Sequence, residues 1–136
     1  MLIEWNDRYR IGHEEVDQQH QYIFKLRNSL ESKITTGADR QDSLETIGAL
    51  VDYALRHFAD EEFLMQQIDF SGLARHRWRH SEFAGKVAEM ATDWGSGKEI
   101  SAEEIRDYLT EWLLDHILAE DMQIGEAILS AQSNSV

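Results

Sequence analysis

The chain contains no cysteine and no proline. Without cysteine there is no disulfide framework, thiolate nucleophile, zinc knuckle or iron–sulfur cluster, so any metal must be held by nitrogen and oxygen ligands. Without proline the strongest helix breaker is missing. Long apolar runs are lacking too: nothing approaches the ~20 residues of a membrane span. Met1-Leu2-Ile3 is followed at once by Glu4, unlike a secretory signal. The expectation is a cytoplasmic protein without membrane insertion. Positive charge is scarce, with 13 Lys and Arg against 26 Asp and Glu, a net charge of −13. Nucleic acid and anionic membranes repel such a surface, so neither is an expected partner.

The 136 residues, 42% of them hydrophobic, suit one domain with one core, spanning 1–136. Residues 1–12 have no helical period, but Trp5, Tyr9 and Ile11 are large enough to pack as an ordered N-terminal arm, with Trp5 as a lid over the core. A first helix is expected over about 14–35, with Val16, Ile23, Leu26, Leu30 and Ile34 inward and Gly37 after its end. A second runs from an N-cap at Asp39 to about 67, burying Leu44, Ile47, Val51, Ala54, Phe58 and Met65. A third, from about 71 to 94, has a regular three-four seam of Leu73, His76, His80, Phe83, Val87, Met90 and Trp94. The fourth opens on a capping box, Ser101 with Glu104, and carries Ile105, Leu109, Trp112 and His116 inward, then Asp121, Ile124 and Ile128. The small polar residues 130–136 are expected to fray. The fold class is all-α, an antiparallel up-down-up-down four-helix bundle.

Five of the six histidines fall on inward faces: His20, His57, His76, His80 and His116. Glu61 and Asp121 join them. Burying five imidazoles and two carboxylates without a metal would leave many polar groups short of partners, at ~1–3 kcal/mol each. Two cations would satisfy them together. The step from His116 to Asp121 is five residues, which turns ~140° past alignment in an ideal α-helix. A π-type wide turn or a local break would bring the two back onto one face. Glu62, ~100° from its neighbour Glu61, reads as a surface carboxylate or one behind the ligands. His13 reads as solvent-exposed, with no metal role.

Four motifs, Asp17-Gln18-Gln19-His20, His57-Phe58-Ala59-Asp60-Glu61-Glu62, His76-Arg77-Trp78-Arg79-His80 and His116-Ile117-Leu118-Ala119-Glu120-Asp121, occur in this order, with Trp5 near the start and Trp112-Leu113 before His116. In them the chain resembles the hemerythrin family, specifically its bacterial single-domain members, from about residue 3 to 129. The resemblance implies two non-haem iron ions, bridged by an oxo or hydroxo group, that bind O₂ reversibly for storage, delivery or scavenging. It implies that His76, His80 and His116 hold one iron, that His20 and His57 hold the other with a position open for O₂, and that Glu61 and Asp121 bridge them. Phe58, Trp112 and Leu113, with Ile23 and Phe24, would form an apolar O₂ pocket. Where relatives often carry Tyr-Pro, this chain has Phe70-Ser71, which bears on the loop and not on the ligands.

Histidine and carboxylate suit iron with an open position. Di-iron proteins of the ferritin-like class use a carboxylate-rich set instead, absent here. No catalytic residues, and no enzyme, are therefore expected. The alternatives are an oxygen or redox sensor signalling to a separate protein, since no output domain follows within this chain, and a di-iron enzyme reacting with peroxide or nitric oxide. The carrier reading leaves room for a protein acceptor of O₂.

Overall fold

The structure, a computed structural model, describes residues 1–134, and among these there is no strand. Helix α1 spans Glu14–Thr36, α2 Arg40–Gln67, α3 Leu73–Gly95 and α4 Ala102–Glu111. A π-helical segment, Trp112–Asp121, continues α4 and leads into α5, Met122–Asn134, so that the three form one rod. Contacts between helices define their directions. Early α1 meets late α2 and the π segment, through His20 beside Glu61 and Asp121. Late α1 meets early α4, where Arg106 pairs with Glu31. Late α2 meets early α3, through Glu61 and Glu62 beside His80. Neighbours are therefore antiparallel, the up-down-up-down bundle expected from four amphipathic stretches and short connections.

Local chemistry sets the ends. The α2 N-terminus has a reciprocal box in which Asp39 and Asp42 each accept the other's backbone N–H. Gly37 closes α1 in the left-handed conformation, φ 96°. Ser101 Oγ accepts the N–H of Glu104. The reverse bond is not formed among the described residues, so only half of the expected capping box exists. Helix α3 begins at Leu73, two residues after the expected start, because residues 71 and 72 complete the turn from α2. The expectation of a frayed 130–136 meets a helix that runs on to Asn134; residues 135–136 lie outside those described.

The arm is ordered by named bonds. Asn28 holds both the N–H and the C=O of Ile3, and buried Arg27 donates to the Met1 carbonyl at 2.6 Å. Trp5 and Tyr9 pack on Phe24, the Trp5 ring edge-on at 5.3 Å. The Asp17 carboxylate, 2% exposed, accepts the N–H groups of Ile11 and Gly12 and draws the arm over the bundle end. There Gly125 lets the chains touch, since a Cβ on it would lie 3.1 Å from Ile11 Cα.

Two apolar clusters result. The larger runs from Ile23 and Phe24 through Leu50, Phe58 and Phe83 to Leu109, Leu113 and Ile117. The smaller, Ile11, Val16, Leu64, Met65, Ile124 and Ile128, closes one end. On α1 His20 lies between Val16 and Ile23, and on α2 Glu61 stands between Phe58 and Leu64. The polar cluster is thus sealed by apolar side chains above and below.

Candidate metal centre

All seven residues singled out by the sequence converge: His20 from α1, His57 and Glu61 from α2, His76 and His80 from α3, His116 and Asp121 from the π segment. Each is 3% exposed or less. The π segment is what unites its pair. Its wider turn brings Asp121, five residues on from His116, back to the same interior, with His116 Nε2 3.1 Å from Asp121 Oδ1. Of the two sequence alternatives, the wide turn is the one realised, not a break.

The two carboxylates divide their oxygens. Glu61 Oε2 lies 3.1 Å from both His20 Nε2 and His57 Nε2, while Oε1 lies 3.1 Å from His80 Nε2. Asp121 Oδ2 lies 3.1 Å from His20 Nε2, while Oδ1 lies 2.7 Å from His76 Nε2 and 3.1 Å from His116 Nε2. One oxygen of each therefore faces the His20/His57 side and the other faces the His76/His80/His116 side.

Several of these close atoms are not hydrogen-bonded. His57 Nε2, His116 Nε2 and Asp121 Oδ2 have no partner, although a nitrogen or oxygen sits 3.1 Å away in each case. The atoms stand side by side, not donor to acceptor. Ligand atoms ~2.1 Å from one cation and at right angles to each other are about 3 Å apart. The spacing and the orphaned atoms thus fit cations between the groups. Two sets have ligand atoms all within 4.8 Å of one another: His20, His57, Glu61 and Asp121, and Glu61, His76, His116 and Asp121. His80 adjoins the second set through Glu61 Oε1.

The outward imidazole nitrogens identify two residues that the sequence alone did not single out, Gln19 and Glu120, and decide the role of a third, Glu62. His57 Nδ1–H donates to Gln19 Oε1 at 2.7 Å, and Gln19 Nε2 donates in turn to Asp60, which fixes the amide's orientation. His80 Nδ1–H donates to Glu62 at 2.8 Å, the second of the roles expected for Glu62. His116 Nδ1–H donates to Glu120 at 3.1 Å. These oxygens can only accept, so the rings carry a proton on Nδ1 and present Nε2 inward, the orientation usual for metal-bound histidine. Signals existed: Gln19 precedes a candidate ligand, and Glu120 follows His116 by four. Which ring each would reach did not follow from spacing. His13 departs from expectation. It is half-buried, and its Nδ1 accepts the Val16 N–H as the N-cap of α1.

The protein groups alone carry strong electrostatics. Burial lowers His20, but the adjacent carboxylates of Asp121 and Glu61 outweigh it and push its pKa up to about 10. His80 is raised likewise, burial being outweighed by Glu61 and Glu62. His57 is lowered, with burial dominant. Burial would raise Glu61 and Asp121, yet the surrounding imidazoles hold both below the usual carboxylate range. The carboxylates therefore remain ionised and demand positive charge, which protons or metal ions can supply.

The five pocket candidates are all buried. Phe58 stacks on the His80 ring at 4.0 Å and 8°, and Trp112 stacks on His116 at 4.0 Å and 15°. Ile23, Phe24 and Leu113 belong to the same cluster, with Leu113 and Ile23 fully enclosed. Tyr53, not among the candidates, stacks on His57 at 4.8 Å and 15°.

Imidazoles and shared carboxylates at the middle of an antiparallel bundle define a cation-binding helical protein. The hemerythrin HHE cation binding domain matches residues 11–128, and the chain belongs to the hemerythrin family. It is 35% identical over 127 residues to the bacteriohemerythrin of Stenotrophomonas maltophilia, covering 93% of this chain and 82% of the relative. It is 29% identical to the myohemerythrin of Riftia pachyptila, covering 88% of each. The crystal structure of a wild-type hemerythrin matches with a TM-score of 0.80 and 26% identity, over 94% of this chain and 98% of that one.

Proposed function

We propose that this protein binds O₂ reversibly at a pair of non-haem iron ions, as an oxygen store, carrier or scavenger. The observation that carries the reading is the divided use of the carboxylates. Glu61 and Asp121 each turn one oxygen to the two-histidine side and one to the three-histidine side. His76, His80 and His116 would hold one ion, His20 and His57 the other, and Glu61 and Asp121 would bridge both, with an oxo or hydroxo group completing the bridge. The iron pair supplies two electrons and a coordination position for O₂. The chain's own residues do the rest. Gln19, Glu62 and Glu120 hold three imidazoles in the ligating tautomer. Phe58, Trp112, Leu113, Ile23 and Phe24 keep bulk water and its protons away, which favours release of O₂ over oxidation of the metal. The ligand set is histidine-rich, unlike that of carboxylate-rich di-iron oxidases, and this supports binding over turnover.

The test is iron content followed by a reversible O₂ cycle. The purified protein should carry two irons per chain. After anaerobic reduction, admitting and then removing O₂ should make a visible charge-transfer band appear and disappear. Fast irreversible oxidation would transfer the reading to a redox sensor or to a di-iron enzyme, and fewer than two irons would overturn it. Glu61→Ala should lose the paired site.

A further inference from the structure

The wall beside His57 is not wholly apolar. Tyr53, one helical turn before His57 on α2, is 5% exposed, and its hydroxyl has no hydrogen-bond partner. Its ring lies flat on His57 and meets Phe58 and Phe83 edge-on at 5.9 Å each. The Trp112 Nε1–H, from the opposite rod, is also buried without a partner. Trp112 stacks on His116 and packs on Phe58 and Phe83, the two rings that also meet Tyr53. Two unpartnered donors, Tyr53 on α2 beside His57 and Trp112 beside His116, therefore border the same aromatic group of Phe58 and Phe83. A buried hydroxyl left unpaired costs about 1–3 kcal/mol, and a phenylalanine would fill the same space without that cost. Such a group beside a candidate ligand ring is accounted for by a molecule that it contacts only when the site is filled.

We propose that Tyr53, assisted by Trp112, makes this pocket selective for small ligands with negative charge on the end remote from His20 and His57, by donating a hydrogen bond to that end. A phenol is protonated at neutral pH, so it is a donor and not an anion. The apolar neighbours Phe58 and Phe83 leave the charged end no competing water. In such surroundings a donor to an ionised acceptor contributes more than one between neutral groups. The inference rests on the two-metal reading above.

Azide is the probe. The iron-loaded protein is oxidised to the diferric form, its iron is counted, and azide is titrated by visible absorption into wild type, Tyr53→Phe and Tyr22→Phe. Tyr22, 45% exposed, borders the open groove outside Tyr53 and His57 and serves as the control for loss of an exposed tyrosine hydroxyl. Phenylalanine preserves the stack on His57 and removes only the hydroxyl. Azide affinity should fall about tenfold in Tyr53→Phe, as for loss of a hydrogen bond to a charged group, and stay unchanged in Tyr22→Phe. Two irons with unaltered azide affinity in Tyr53→Phe would overturn this inference alone. A wild-type protein without two irons would overturn the metal reading itself. Should Tyr53→Phe fail to retain iron, ultraviolet resonance Raman of wild type decides: azide should move the tyrosine ring doublet toward its hydrogen-bond-donor pattern, and an unmoved doublet overturns the inference.

Discussion

Glu62→Gln isolates the contribution of a group that touches no metal. Glu62 Oε2 accepts the Nδ1–H of His80 at 2.8 Å, and its Oε1 accepts from Arg77 at 3.2 Å. A carboxylate behind an imidazole makes the ring a stronger donor at Nε2 and locks its orientation. The amide has the same shape and still offers one acceptor, but removes the charge. Loss of such a partner typically costs 10–100-fold in metal affinity, about 1.4–2.7 kcal/mol. The Glu62 side chain is 25% exposed and shares its charge with Arg77, so solvent screens part of the effect. We expect the low end, about tenfold. The assay is competition of the reduced, anaerobic protein against a ferrous chelator, resolving the two irons as separate steps. In Glu62→Gln the first iron should leave at about tenfold lower chelator concentration than in wild type, with urea unfolding of the metal-free form nearly unchanged. Exposed Glu89, changed to Gln, is the control. Retention equal to wild type would refute the argument that the outer carboxylate strengthens its histidine.

The metal-free protein should show an alkaline loss of stability. His20 and His80 are raised in the folded state, so their contribution is complete below the unfolded pKa of 6.5 and is lost as pH climbs, for His20 through about 10. Glu61 and Asp121 are depressed, so theirs is present above about pH 4.5 and lost on acidification. His57, lowered, opposes His20 below pH 6.5. A Tm maximum near pH 6 should follow, and iron loading should abolish the alkaline fall; a metal-free Tm that stays level from pH 6.5 to 10 would contradict it. His13→Ala should leave iron content intact and cost about 1 kcal/mol through the lost N-cap, read by urea unfolding. Asp17→Ala strands the buried N–H of Ile11 and the part-buried N–H of Gly12. It should cost about 2–4 kcal/mol and make residues 1–12 accessible to protease, with iron retained.

The inward residues were legible because helical period alone fixes direction. Val16, His20 and Ile23 lie on one face of any α-helix built from this sequence, as do His76, His80 and Phe83. The five-residue step was legible for the same reason: His116 and Asp121 cannot share a face without a change of helical pitch, and the π segment is that change. The cap at Asp39 and the glycine after α1 are equally local, since each depends on bonds within four residues. Ser101 was only half right because the return bond from Glu104 competes with solvent at an exposed helix start.

The outer partners were not legible in this way. Gln19 reaches His57 across 38 residues and Glu62 reaches His80 across 18. Both bonds depend on how far each helix is rotated and shifted along its neighbour, which side-chain packing decides. His13 looked free until the start of α1 offered it the Val16 N–H. Tyr53 was not among the inward positions read for α2, and its hydroxyl is buried because His57, Phe58 and Phe83 pack around the ring. The sequence by itself determined which side chains point inward and that the fourth helix must widen. The tertiary structure decided which oxygen of Glu61 and Asp121 meets which histidine. A carboxylate's two oxygens are identical in sequence and become distinct only when four helices surround them.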